Sequence, residues 1–100
     1  MQKKDIHIDL DQLKSIVGNV LREKSDILKE KSEYLSFLFT FSQKGDLVDI
    51  AYFLPRKTPI SISDISKIDT LLKTNVKATF TGIDYLQYYF IDYSPPAIRF

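Results

Sequence analysis

The chain has 100 residues, 44% of them hydrophobic and 27% charged, which is enough for one domain with one core and too little for paired cofactor and substrate domains. A net charge of +1 supplies no global field to attract nucleic acid or an anionic membrane. The absence of cysteine removes disulfides, thiol nucleophiles and Cys-based metal sites together.

Residues 1–8 read as a flexible polar arm. Asp9 is an N-cap candidate, with Gln12 three positions on as its capping-box partner. Leu10, Leu13, Ile16, Val17, Val20 and Leu21 then recur at helical spacing, continued by Ile27 and Leu28. One amphipathic helix over roughly residues 9–31 is predicted. Gly18 inside it costs about 1 kcal/mol relative to Ala, which suggests a close approach to the sheet.

Residues 34–54 carry the clearest signal. Two apolar, strand-like runs flank Lys44-Gly45-Asp46, which predicts a β-hairpin. Leu35, Phe37, Phe39 and Phe41 share one face of the first strand. In the second, Val48, Ile50, Tyr52 and Leu54 share a face, with Asp49, Ala51 and Phe53 opposite. Pro55 ends that strand. Ser61 or Ser63 caps a further helix to about Asn75, with Ile65, Ile68, Leu71 and Leu72 as its stripe. Val76, Ala78 and Phe80 alternate with polar residues in a third strand. Residues 85–93 form a fourth, and Ala97-Ile98-Arg99-Phe100 leaves Pro95-Pro96 extended. The expected fold is α+β in the order α-β-β-α-β-β: an antiparallel sheet of about four strands with two helices packed on one face.

Chemistry is thinly represented. Asp5, His7, Asp9 and Asp11 alternate, and His with carboxylates can bind zinc or manganese. The same residues also make an ordinary polar arm entering a helix cap, and no second histidine strengthens the set. No metal is expected. With three glycines in all, a Gly-rich phosphate cradle has no material, and no Gly-x-Ser-x-Gly elbow presents a serine. No catalytic residue and no cofactor are expected. Arg56, Lys57, Lys77 and Arg99 near several tyrosines are the only basis for nucleic-acid binding, and nearly equal acids offset them.

The remaining candidates are contact residues. Tyr85, Tyr89 and Tyr93 would share one face of the fourth strand, and tyrosine suits protein interfaces through its large area and polar tip. Tyrosines closing a monomer core would show the same spacing. Ile98 and Phe100 would pair at a sheet edge, in this chain or in another. The expectation is a non-catalytic interaction or adaptor domain whose partner is another protein or a second copy in a homodimer. A charged face from Arg22 to Glu30 would instead suit a cytoplasmic chaperone or immunity-type protein. A third reading, a small-ligand site or minor enzyme, requires Asp49, Tyr52, Tyr88 and Asp92 around one concavity.

The segment Phe37-Leu-Phe-Thr-Phe-Ser-Gln-Lys-Gly-Asp-Leu-Val-Asp-Ile resembles the hairpin of the C-terminal domain of TonB-like proteins. Residues 63–72 resemble that family's helix, and Ala97-Ile-Arg-Phe its terminal strand ending in Phe. Ala78-Thr-Phe-Thr stands where the family carries Phe-x-Pro. The resemblance implies a stand-alone relative of the cell envelope acting by protein contact. It would be periplasmic if an export signal were removed, and cytoplasmic otherwise. No run is apolar enough for membrane insertion.

Overall fold

The computed structural model describes residues 5–100, apart from the side chains of residues 84 and 85. Its elements are β1 (Ile6–His7), α1 (Leu10–Val20), α2 (Ser25–Glu30), β2 (Tyr34–Ser42), β3 (Leu47–Phe53), α3 (Ile62–Asn75), β4 (Thr79–Phe80), β5 (Phe90–Tyr93) and β6 (Ile98–Arg99), with 3-10 turns at Arg22–Lys24 and Asp84–Gln87. The fold is α+β with two antiparallel sheets. β1 pairs with β4, and β2 is the centre of the larger sheet in the order β3-β2-β5, with β6 also on β2.

The core follows from β2. Leu35, Phe37, Phe39 and Phe41 are fully buried, and each buried Phe contributes roughly 2–3 kcal/mol. Phe37 lies opposite Tyr52, and Phe39 opposite Ile50 on β3 and Tyr93 on β5. Leu13 and Val17 of α1 and Ile68 and Leu72 of α3 belong to the same buried cluster. α1 packs on α3, and α3 on β3.

The N-caps Asp9 and Ser61 are residues that the sequence offers for the role, but the capping box expected at Asp9 with Gln12 is present only in its Asp9 half. The Asp9 carboxylate accepts from the Gln12 N–H at 3.0 Å. At α3, Ser61 Oγ accepts from the Asp64 N–H (3.0 Å) and Asp64 Oδ2 from the Ser61 N–H (2.9 Å), a complete capping box. Asp64 also meets Lys24 Nζ at 2.5 Å. Burial alone would raise the Asp64 carboxyl, but the hydrogen bonds from Lys24 and Ser61 outweigh it and hold it below its ordinary value of 3.8.

The single helix expected over residues 9–31 is divided. Leu21 leaves helical geometry (φ −96°, ψ 11°), a 3-10 turn follows, and α2 restarts at Ser25. No Gly or Pro marks the break. It accompanies a non-local contact, since Lys24 Nζ also donates to the Pro59 carbonyl at 3.0 Å. Gly18 makes no close approach to the sheet. A Cβ built there meets nothing within 4 Å, and its φ is not left-handed. Gly18→Ala is therefore expected to stabilise the chain by about 0.5–1 kcal/mol, read as a raised midpoint in urea denaturation. A lowered midpoint would contradict the open setting.

Three further expectations need correction. Residues 5–8 do not form a free arm: Ile6 pairs with Phe80 and is buried, and the Thr81 N–H donates to the Asp5 carbonyl at 2.8 Å. Val48 does not share the inner face of β3, because a register shift makes Phe41 pair with Leu47 and turns Val48 outward. Finally, residues 85–93 are not one strand. The chain makes a 3-10 turn at Asp84–Gln87, and pairing begins only at Phe90.

Candidate functional site

Among the described residues, none on the outer face of the larger sheet belongs to the buried core cluster. That face carries Ser36, Leu38 and Thr40 from β2, opposite Phe53, Ala51 and Asp49 of β3. Leu38 and Phe53 are exposed there. On the β5 side, Asp92 and Phe90 continue this face opposite Thr40 and Ser42, and the Thr40 hydroxyl donates to Asp92 Oδ1 at 2.9 Å.

The segment 83–90 extends from this face. Gly82 (φ +76°) turns the chain into it, a conformation glycine adopts without strain. Gln43 holds it from the hairpin tip: its Nε2 donates to the carbonyls of Leu86 (3.2 Å) and Tyr88 (2.5 Å). A side chain thus takes carbonyls that strand pairing would otherwise use. Five of the eleven large apolar side chains exposed among the described residues lie here: Ile83, Leu86, Tyr88, Tyr89 and Phe90. Tyr89 is 90% exposed and Ile83 76%, values at which a side chain adds almost nothing to the core.

The predicted tyrosine face does not form. Tyr89 lies in the loop before β5, while Tyr93 lies on β5, half-buried and opposite Phe39 on the core side. Tyr85 falls in the 3-10 turn, and its side chain lies outside the described residues. The tail residues belong to their own chain's sheet. Ile98 pairs with Leu35, and the Phe100 N–H donates to the Glu33 carbonyl at 3.1 Å. The Ser94 hydroxyl donates to the Phe37 carbonyl at 3.0 Å, so β5, residues 94–97 and β6 run along one edge of β2. Pairing with a separate chain would require that edge to be vacated. The opposite side of the sheet differs: among the described residues, β3 pairs only with β2.

Two concavities lie at the sheet's margins. One, of about 440 Å³, is lined by Tyr88, Phe90, Ile91, Asp92, Tyr93 and Ser94 with Ile6. The other, of about 710 Å³, lies between the end of β3 and the start of α3, with Tyr52, Phe53, Ile62, Ile65 and Arg56 among its residues. The four residues of the expected ligand site are therefore not gathered. Tyr88 and Asp92 share the first cavity, Tyr52 lines the second, and Asp49 lines neither.

The inner polar groups are engaged structurally. The Tyr52 hydroxyl donates to Asp69 Oδ1 at 2.9 Å, and burial, reinforced by that bond, pushes it far above the ordinary tyrosine range. It is held as a protonated donor. At the hairpin tip the hydrogen bond and charge of Lys77, 2.6 Å away, keep the Asp46 carboxyl below its ordinary value. Among the described residues, no three His, Asp or Glu side chains gather as metal ligands. No helix among them is long and apolar enough to cross a membrane.

Sequence reasoning identified the aromatic content of residues 83–93 but not its form. The available signal was Gly82 before a run too apolar to be a loop and too uniform to alternate. No family model, curated protein or solved structure matches this chain.

Proposed function

We propose that this is a non-catalytic protein-interaction domain whose contact surface is the apolar segment 83–90 together with the neighbouring outer face of the sheet. The observation that carries the reading is the run of exposed apolar side chains held in place by Gln43. Exposed apolar side chains scattered singly are ordinary, whereas a concentration of them marks a place that another surface covers. Tyr and Phe give large contact area with few rotatable bonds, which keeps the entropic cost of binding small. The engagement of Tyr52, Asp46 and Asp64 in structural hydrogen bonds supports a non-catalytic role.

The resemblance to TonB-like C-terminal domains enters this proposal only as a mode of action, contact with another protein. Of the contact residues that the sequence suggests, Tyr89 belongs to this surface. Tyr93, Ile98 and Phe100 serve the fold, and the partner is either another protein or a second copy.

A photoreactive residue replacing Tyr89 is expected to give a discrete adduct in cells that make the protein, while one replacing Lys29 gives none. The captured protein, once purified, should bind the native chain and lose at least about tenfold in affinity for a Leu86→Ser/Tyr89→Ser variant, the effect of losing about 1.4 kcal/mol. An adduct with the chain itself would identify the homodimer. Equal adducts at both positions, or undiminished affinity of the variant, would refute the proposal.

A further inference from the structure

The pairing register sets one row of side chains across the outer face of the larger sheet: Asp49 of β3, Thr40 of β2 and Asp92 of β5. Neighbouring strands lie about 4.8 Å apart, so the two aspartates stand roughly 10 Å apart with Thr40 between them. Both are exposed. The Thr40 hydroxyl donates to Asp92 Oδ1 at 2.9 Å, which ties that carboxylate to the middle of the row. None of the ion pairs among the described residues involves either aspartate. The next rows are apolar or hydroxylic, Ala51 with Leu38 and then Phe53 with Ser36.

No cation on the sheet answers these charges. β2, β3 and β5 contain no lysine or arginine. Arg99 stands opposite Tyr34, three rows from Thr40. That is about 20 Å along the strand, beyond the screening length of about 8–10 Å. At the hairpin end Lys77 is paired with Asp46, and the charge of Lys44 acts on the same carboxylate.

A surface that covers Leu38 and Phe53 also excludes water from the aspartates beside them, and a covered carboxylate without a counter-charge weakens the contact. A second copy using the same face brings two more carboxylates and no cation, so like charges would meet. A hard metal ion finds two carboxylates on separate strands where it needs six or more ligands. A guanidinium over Thr40 suits the row better, because its planar fork offers donors on both sides.

We infer that the outer face is covered by a segment of a different protein that carries arginine among apolar side chains, and that the arginine sits over Thr40 between Asp49 and Asp92. The inference rests on the contact proposed above and names the chemistry of its partner.

The first probe is the pentapeptide Leu-Arg-Leu-Arg-Leu with both ends blocked, titrated into the isotope-labelled protein. It is expected to shift the amide resonances of Leu38, Thr40, Asp49, Ala51 and Asp92 saturably. The same peptide with citrulline, the uncharged isostere of arginine, should bind at least about tenfold more weakly. Asp49→Asn/Asp92→Asn keeps an oxygen for the Thr40 hydroxyl and should bring both peptides to equal affinity. Its thermal midpoint should match the native one, since both side chains are exposed. Against the protein captured through position 89, the same variant should associate about tenfold more slowly at low salt, with a flatter salt dependence.

If Leu86→Ser/Tyr89→Ser weakens that complex and the aspartate variant does not, the contact stands and its basic partner is overturned. Loss in the aspartate variant alone would refute the contact at 83–90 and keep the outer face as the docking surface. An adduct of the chain with itself, equal binding of the arginine and citrulline peptides to the native chain, or no saturable shift on the outer face would overturn the inference.

Discussion

Replacing Gly45 by Ala is expected to cost about 3 kcal/mol and to lower the thermal midpoint by about 12–24 °C for a domain of this size. Gly45 lies at the β2–β3 turn with φ +86°, where a side chain costs about 1–2 kcal/mol. Space is the second reason. A Cβ on Gly45 would fall 2.0 Å from the Ala78 carbonyl oxygen, which is backbone and cannot rotate away. The contact belongs to a short ladder: the Ala78 N–H donates to the Gly45 carbonyl at 2.9 Å, and Asp46 bridges to Lys77. Moving Ala78 away would stretch that hydrogen bond, worth about 1 kcal/mol, and disturb buried Val76 and Ala78.

Gly45→Asn separates the two causes. Asparagine tolerates left-handed geometry but still brings a Cβ, so it should lose nearly as much as alanine. Circular dichroism melts of both variants would check this. A loss below about 1 kcal/mol for alanine, or recovery by asparagine, would mean that the approach to Ala78 is not what requires glycine. The opposite sign expected at Gly18, where a Cβ meets open space, makes the pair of substitutions a test of environment rather than of residue type.

These two glycines also show what the sequence makes legible. At residues 34–54 local signals agree: alternation of Phe with smaller residues, a polar turn and a glycine inside it. The hairpin and its buried face were readable for that reason, as were the Ser and Asp caps of the helices. The space around a glycine is not legible: the sequence places Gly18 in a helix and Gly45 in a turn, but only the fold sets the Ala78 backbone against Gly45 and leaves Gly18 open. The same holds for β1, since Ile6 becomes a strand residue only through pairing with distant Phe80. Leu47 and Val48 are both apolar, so alternation alone does not say which points inward, and a bulge after the turn decides it. The segment 83–90 defeated the reading most completely. Its aromatics favour strands as a class, yet the carbonyls of Leu86 and Tyr88 are taken by the Gln43 side chain, which no local pattern announces.

Phe39→Ala is expected to be the most damaging single truncation in the sheet, costing about 3–5 kcal/mol against a total stability of about 5–15 kcal/mol for such a domain. Phe39 is fully buried at the centre of β2, between Ile50 on one side and Tyr93 on the other. Its ring centroid lies 5.4 Å from Phe37 and 5.9 Å from Phe41, so its removal opens a cavity and breaks both aromatic contacts. Phe39→Leu keeps most of the volume and should cost less than half as much. Phe90→Ala supplies the contrast. That residue is 63% exposed, and its truncation should change stability by less than about 0.5 kcal/mol. Urea denaturation of the three variants measures all of these differences. Substitutions in the segment 83–90 can be read as changes in binding only if they leave folding intact, so this comparison underlies the proposed function. A Phe90→Ala variant as damaged as Phe39→Ala would make the segment part of the core, and the protein-contact reading would lose the observation on which it stands.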